Sequence, residues 1–137
     1  MTKFSATCSC GDVRLEIDHD LTTVVNCHCT DCRKMSGCAF SSMVLSPAGA
    51  GVFARGEAAL GRYALSPAVT KHFCKSCGTP IFNTNTRLAG LRMLYLGAID
   101  QHELLTPILN VYCRSKLPWV DRAAELPSHA AEPQSGG

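Results

Sequence analysis

The sequence predicts a mainly β domain of short strands with little helix. Short β-branched or alternating runs recur along the chain with Gly and Pro between them, and apolar residues almost never repeat at helical spacing. A further observation points to how so small a β domain holds together. Nine cysteines, most of them clustered, fit metal staples, whose binding free energy is folding free energy.

Taken in order, Cys8-Ser9-Cys10-Gly11 comes first. Residues 13–17 alternate apolar and charged side chains, the pattern of a half-buried strand. Asp18-His19-Asp20 reads as a turn. Thr23-Val24-Val25-Asn26 is β-branched and leads into Cys27-His28-Cys29-Thr30-Asp31-Cys32. Residues 30–35 form a short helix that Ser36-Gly37 ends, since Gly suits the left-handed position after a helix. Residues 39–45 make a strand closed by Ser46-Pro47. Val52-Phe53-Ala54-Arg55 and Leu60-Gly61-Arg62-Tyr63 are short strands on either side of Gly56-Glu57. A turn at Ser66-Pro67 precedes Thr70-Lys71-His72-Phe73, which runs into Cys74-Lys75-Ser76-Cys77-Gly78. Residues 80–83 and 93–97 are further strands, residues 100–105 one helical turn, and residues 108–113 the last long strand.

With 137 residues the chain suits one domain, residues 1–125, followed by a flexible tail, residues 126–137, rich in turn and linker residues. Hydrophobic residues make up 46%, too many for a disordered chain. The longest apolar runs are too short to span a membrane, and the N-terminus lacks the apolar core of a signal peptide. The expected location is therefore cytoplasmic. An odd number of cysteines without an export signal argues for metal over disulfides. The formal charge is +2, and seven thiolates on two zinc ions would bring it to about −1. The slight basicity is no argument for nucleic acid, and no basic–aromatic interleaving supports it.

Cys27, Cys29 and Cys32 place three soft ligands in six residues, a set that selects zinc, copper(I) or iron–sulfur clusters. Three thiolates on a tetrahedral zinc leave one position open, the mark of a catalytic site. Cys38 lies six residues on and is the alternative that would close the site as a second structural centre. His28 sits between two ligands, and its side chain is expected to point away from the metal. Cys74 and Cys77 have knuckle spacing with Gly78 after them, and Cys8 and Cys10 form a tighter half-site with Gly11 after them. Together these four supply a closed tetrahedral shell. A redox pair at Cys74 and Cys77 would call for a βαβ context, which the sequence lacks.

Cys8-x-Cys10-Gly11, then Cys27-His28-Cys29-x-x-Cys32-Arg33-Lys34-x-Ser36-Gly37, then Phe73-Cys74-x-x-Cys77-Gly78-Thr79-Pro80, in this order, resembles the glutathione-dependent formaldehyde-activating enzymes, a family that includes centromere protein V-like proteins. The resemblance spans residues 4–119 and extends to Arg114-Ser115-Lys116-Leu117-Pro118-Trp119. It implies a β-tent fold of antiparallel strands, a structural zinc on Cys8, Cys10, Cys74 and Cys77, and a catalytic zinc on Cys27, Cys29 and Cys32. It also implies a carbon–sulfur lyase activity that makes or breaks S-hydroxymethylglutathione from formaldehyde and glutathione, so the expected partners are a small thiol and an aldehyde. The rival from another class is a non-catalytic zinc-stapled binding module.

Arg33 and Lys34 follow the third thiol directly. They are candidate contacts for the two carboxylates of glutathione, or else a solvated helix face. Arg114 and Lys116 carry the same ambiguity, with Trp119 as packing anchor or pocket wall. Asp31 reads as an exposed helix acid and Cys113 as a buried thiol on a strand.

Overall fold

The computed structural model of the protein describes residues 2–133. Ten strands form two sheets. The small sheet has the order β1 (Phe4–Thr7), β2 (Arg14–Ile17), β5 (Gly51–Arg55). The large one runs β10 (Leu109–Val111), β3 (Val24–Cys27), β4 (Ser41–Pro47), β9 (Leu91–Tyr95), β8 (Pro80–Asn85), β7 (Val69–Cys74), β6 (Leu60–Ala64). One α-helix, α1 (Thr30–Ser36), follows β3, and short 3-10 turns make up the other helical pieces. The mainly β expectation holds.

Alternation explains the layering. In β2, Leu15 and Ile17 are buried while Arg14 and Glu16 are half-buried. In the large sheet Val24, Val44, Leu94 and Phe82 fall in register across β3, β4, β9 and β8. They join Phe4, Ala6, Leu15 and Ile17 of the small sheet in one core. Cys8 and Cys74 belong to the same core, so the thiols continue it.

Four expectations need correction. β1 is a full strand that the sequence reading left out, paired with β2 from Phe4↔Ile17 to Thr7↔Arg14. Its residues 4–6 are all buried, so no alternation marks it. The strand expected over residues 108–113 is only three residues long, because Tyr112 adopts the left-handed region at φ 56. Cys113, expected to be buried on that strand, lies exposed in a 3-10 turn. β10 also pairs parallel to β3, where only antiparallel pairing was expected. Of the expected tail, residues 126–133 are exposed and carry no regular element, and residues 134–137 lie outside the described residues.

A polar cluster around the buried Ser5 stitches the sheets. Asp100 accepts from Ser5 Oγ at 2.6 Å and Thr7 Oγ1 at 2.7 Å, and Gln101 Oε1 accepts from the Ser5 N–H at 2.9 Å. Two backbone and burial constraints generate tests. Gly56 joins β5 to the turn before β6 at φ 80, and a Cβ there would run into the Asp12 carbonyl. Gly56→Ala is expected to cost at least about 2 kcal/mol of unfolding free energy in a denaturant titration. An unchanged midpoint would remove the constraint.

His72 is buried, stacks on Phe82 at 4.3 Å and meets Thr84 Oγ1 at 3.3 Å. Burial, helped by the charges of Arg62 and Arg92, lowers its pKa to about 4. The folded state therefore keeps His72 neutral while the unfolded chain takes up a proton. Its contribution is complete above about pH 6.5 and is lost as pH falls toward 4. His72→Gln is expected to flatten the fall in melting temperature across that window, and a curve parallel to wild type would refute it.

Candidate metal centres

The first centre forms where two turns meet. Cys8 ends the run from β1, and Cys10 sits in the turn to β2. Cys74 is the last residue of β7, and Cys77 lies in the turn to β8. Gly11 at φ 84 and Gly78 at φ 81 let both chains turn tightly behind their thiols. The four Sγ atoms lie within 4.8 Å of one another. Cys8–Cys10 and Cys10–Cys74 separations are 3.6 and 3.7 Å, close to the about 3.8 Å edge of a zinc–thiolate tetrahedron. Cys8 and Cys74 are buried, Cys10 and Cys77 exposed. A hydrogen bond from the Thr79 hydroxyl, followed by its backbone N–H, lowers the pKa of Cys77 to about 5. The donor set and these separations fit a tetrahedral zinc site.

The second centre is assembled by β3, the turn after it and α1. Cys27 closes β3 and is buried between Ser41 of β4 and Val111 of β10 in register. Cys29 is the N-cap of α1, its sulfur accepting from the Cys32 N–H at 3.1 Å. Cys32 follows in the first turn. Their sulfurs lie within 4.8 Å of one another, and among the described residues no fourth ligand type joins them. Cys32 donates to Cys27 at 3.1 Å, inside the tetrahedral edge, so seating zinc requires a small outward movement. That bond lowers the Cys27 pKa to about 6 and pushes the Cys32 thiol up. Proton-free sulfur is thus already favoured at Cys27, which suits a metal ligand.

Cys38 stands apart from this set. It is exposed and its sulfur faces the Ser36 carbonyl at 3.7 Å. His28 is buried against Phe40 at 4.9 Å, with Nε2 on Asn110 Oδ1 at 3.1 Å. Arg33 Nη1 donates to the carbonyls of His28 at 2.8 Å and Ser115 at 2.6 Å. It ties the thiol turn to the 3-10 turn Cys113–Ser115. Lys71 of β7 donates to the Met35 carbonyl at the far end of α1. A seven-residue helix is too short to stand alone, and these bonds hold it.

The three thiols open onto a cavity of about 480 Å³. Arg33 and Lys34 do not line it; Asp31 and Arg87 do. Its wall also contains Asn83, Tyr112 and Met35, Met43 and Met93, none of which the sequence reading placed at a site. Asn83 is buried, its Oδ1 accepts from Tyr95 OH at 3.0 Å, and its Nδ2 faces only the Met35 sulfur at 4.0 Å. Burial pushes the Tyr95 pKa up to about 12, so its hydroxyl stays a donor and fixes the amide orientation. Met43 and Leu45 flank the core-facing Val44, and that unbroken apolar run was the available signal that β4 is apolar on both faces.

The glutathione-dependent formaldehyde-activating enzyme family matches residues 3–115. The chain is also similar in fold to the crystal structure of a Rhodobacter sphaeroides protein. That match has a TM-score of 0.64 at 17% sequence identity and covers 78% of this chain and 99% of that chain. No curated protein matches.

The two centres respond differently to loss of a thiol. Cys29→Ala is expected to lose one zinc with the fold kept, and Cys38→Ala to keep both. Cys77→Ser should drop the melting temperature by about 10 °C or more. Metal analysis and thermal melts check all three; equal zinc loss from Cys29→Ala and Cys38→Ala would mean a closed second centre.

Proposed function

The chain belongs to the glutathione-dependent formaldehyde-activating enzyme family, and from this we propose that it is a zinc-dependent enzyme of the carbon–sulfur lyase type. It would interconvert glutathione plus formaldehyde with S-hydroxymethylglutathione, using two zinc ions per chain. Cys8, Cys10, Cys74 and Cys77 would hold the structural ion, and Cys27, Cys29 and Cys32 the catalytic one. The observation that carries the reading is the convergence of three thiols at a cavity, with Cys38 turned away. Zinc bound there would supply Lewis acidity and keep a thiol deprotonated.

The chain's own residues account for orientation. The thiolate sulfur attacks the aldehyde carbon, a C–S bond forms, and the carbonyl π pair moves to oxygen, which takes a proton from solvent. The reverse step breaks the same bond. Asn83 Nδ2, preset by Tyr95 and otherwise facing only a thioether, is the donor for that developing oxyanion. Arg87, in the cavity wall, is placed to take one carboxylate of glutathione. Arg33 and Lys34, outside that wall, are proposed for the portion of glutathione beyond the cavity mouth. Cavity walls and thiols together bring the two reactants within reach of each other.

Exchange spectroscopy by NMR on formaldehyde and glutathione, with and without zinc-loaded protein, tests the activity against a background reaction that proceeds unaided. Acceleration is expected. Asn83→Ala should lower it on the order of 10- to 100-fold with zinc content unchanged, and Arg87→Ala should act chiefly on KM. No acceleration by fully zinc-loaded wild type would favour the binding-module alternative.

A further inference from the structure

Formaldehyde has two heavy atoms and no apolar group, yet the cavity beside the three thiols encloses about 480 Å³. Its floor is the face of the large sheet turned away from the core. Side chains alternate along a strand, so Met43 and Leu45 project opposite the core residue Val44, and Met93 pairs with Leu45 in register. Leu65 and Val69, at the two ends of the β6–β7 connection, add to the wall, as does Met35 of α1.

A sheet strand apolar on both faces normally has a protein layer against each. Here the inner face is covered by the small sheet, while Met35, Leu45, Leu65, Val69 and Met93 are left half-buried around an open volume. Every methionine among the described residues stands in this wall. Methionine thioethers adapt to irregular apolar partners. Only two charged side chains line the cavity, Asp31 and Arg87, so most of its wall has nothing to offer a polar ligand.

We propose that the carbonyl partner of this site carries an apolar substituent, alkyl or aryl, so that the adduct is a 1-hydroxyalkyl thioether and not only the hydroxymethyl one. The inference rests on the carbon–sulfur reading above. Bond changes are those of the formaldehyde reaction: thiolate sulfur to carbonyl carbon, π pair to oxygen, proton from solvent. No oxidant or reductant enters. The substituent is a spectator that lies on Met43, Leu45 and Met93 while the sulfur faces Cys27, Cys29 and Cys32.

S-methyl-, S-propyl- and S-hexylglutathione are unreactive thioethers in which the alkyl group stands for the substituent. Their affinity for the zinc-loaded full chain, measured by calorimetry, is expected to rise about three- to fourfold per methylene, and by at least about 100-fold from methyl to hexyl. Leu65→Ser at the rim and Met93→Ser on the floor should each weaken the hexyl compound more than fivefold and leave the methyl compound within twofold. The rim variant carries the test if the floor variant fails to fold. A flat series, no binding of the hexyl compound, or a rise that Leu65→Ser does not touch would overturn the proposal. These readouts need no turnover. Loss of the parent reading would instead show as no acceleration with either formaldehyde or hexanal, while rising affinities keep the apolar site. Where acceleration is seen, hexanal should exceed formaldehyde at least tenfold over its own background, and the opposite order overturns the proposal.

Discussion

The four-thiol cluster at Cys8, Cys10, Cys74 and Cys77 is the constraint on which the rest of the structure depends. It joins the turn of one sheet to the turn of the other across a sequence separation of 64 residues between Cys10 and Cys74. Cys8 and Cys74 are at once members of the hydrophobic core and members of the cluster, so packing and ligation reinforce each other at one point. A core made of such short strands is modest, none of them longer than the seven residues of β4, and small domains gain from such a staple. Four sulfurs holding one metal ion would also fix the angle between the sheets, which no single strand pairing does. The Asp100 bonds to Ser5 and Thr7 act on the same joint from another side.

With the sheets fixed, the outer face of the large sheet becomes a platform for the second centre. β3 lies between β10 and β4, so Cys27 enters from a strand paired on both edges. Cys29 and Cys32 enter from α1, a helix held by Arg33, by Lys71 and by Ser41, whose Oγ donates to the Cys32 carbonyl at 2.9 Å. These supports come from β4, from β7 and from the turn Cys113–Ser115. The position of one small helix therefore depends on non-local contacts, and with it the placing of Cys29 and Cys32 against Cys27.

Thiol clusters were legible in the sequence because ligand spacing is itself a distance restraint. Two residues between Cys74 and Cys77, or between Cys29 and Cys32, bring the sulfurs together with little help from elsewhere. Alternating strands such as residues 13–17 were legible for the same local reason, and so was the end of α1 at Gly37, which takes φ 74. What stayed hidden was set by non-local contact. β1 is buried through residues 4–6 and shows no period. β10 is cut short by the left-handed Tyr112 and pairs parallel to a strand more than eighty residues earlier. The places of Asn83 on β8 and of Arg87 in the 3-10 turn after it, both in the cavity wall, depend on how the large sheet meets α1. Arg33 was legible as a cation near the thiols, but not as one whose Nη1 bonds two backbone carbonyls.

On the proposed reading, the two centres would divide stability from reactivity by the same chemistry differently enclosed. A fourth thiolate saturates a tetrahedron and leaves nothing exchangeable, which is what a joint between two sheets requires. A site of three must keep its shape without that fourth ligand, and here backbone and side-chain bonds supply the shape. The Cys29 sulfur accepts from the Cys32 N–H, and Arg33 holds the turn between Cys27 and Cys29 through the His28 carbonyl. On that reading the vertex that a fourth sulfur would fill would stay available to a reactant, and the three thiols line an apolar cavity, where low polarity would strengthen any charge interaction with a bound reactant. Moving Cys38 inward would trade that vertex for stability the staple already provides.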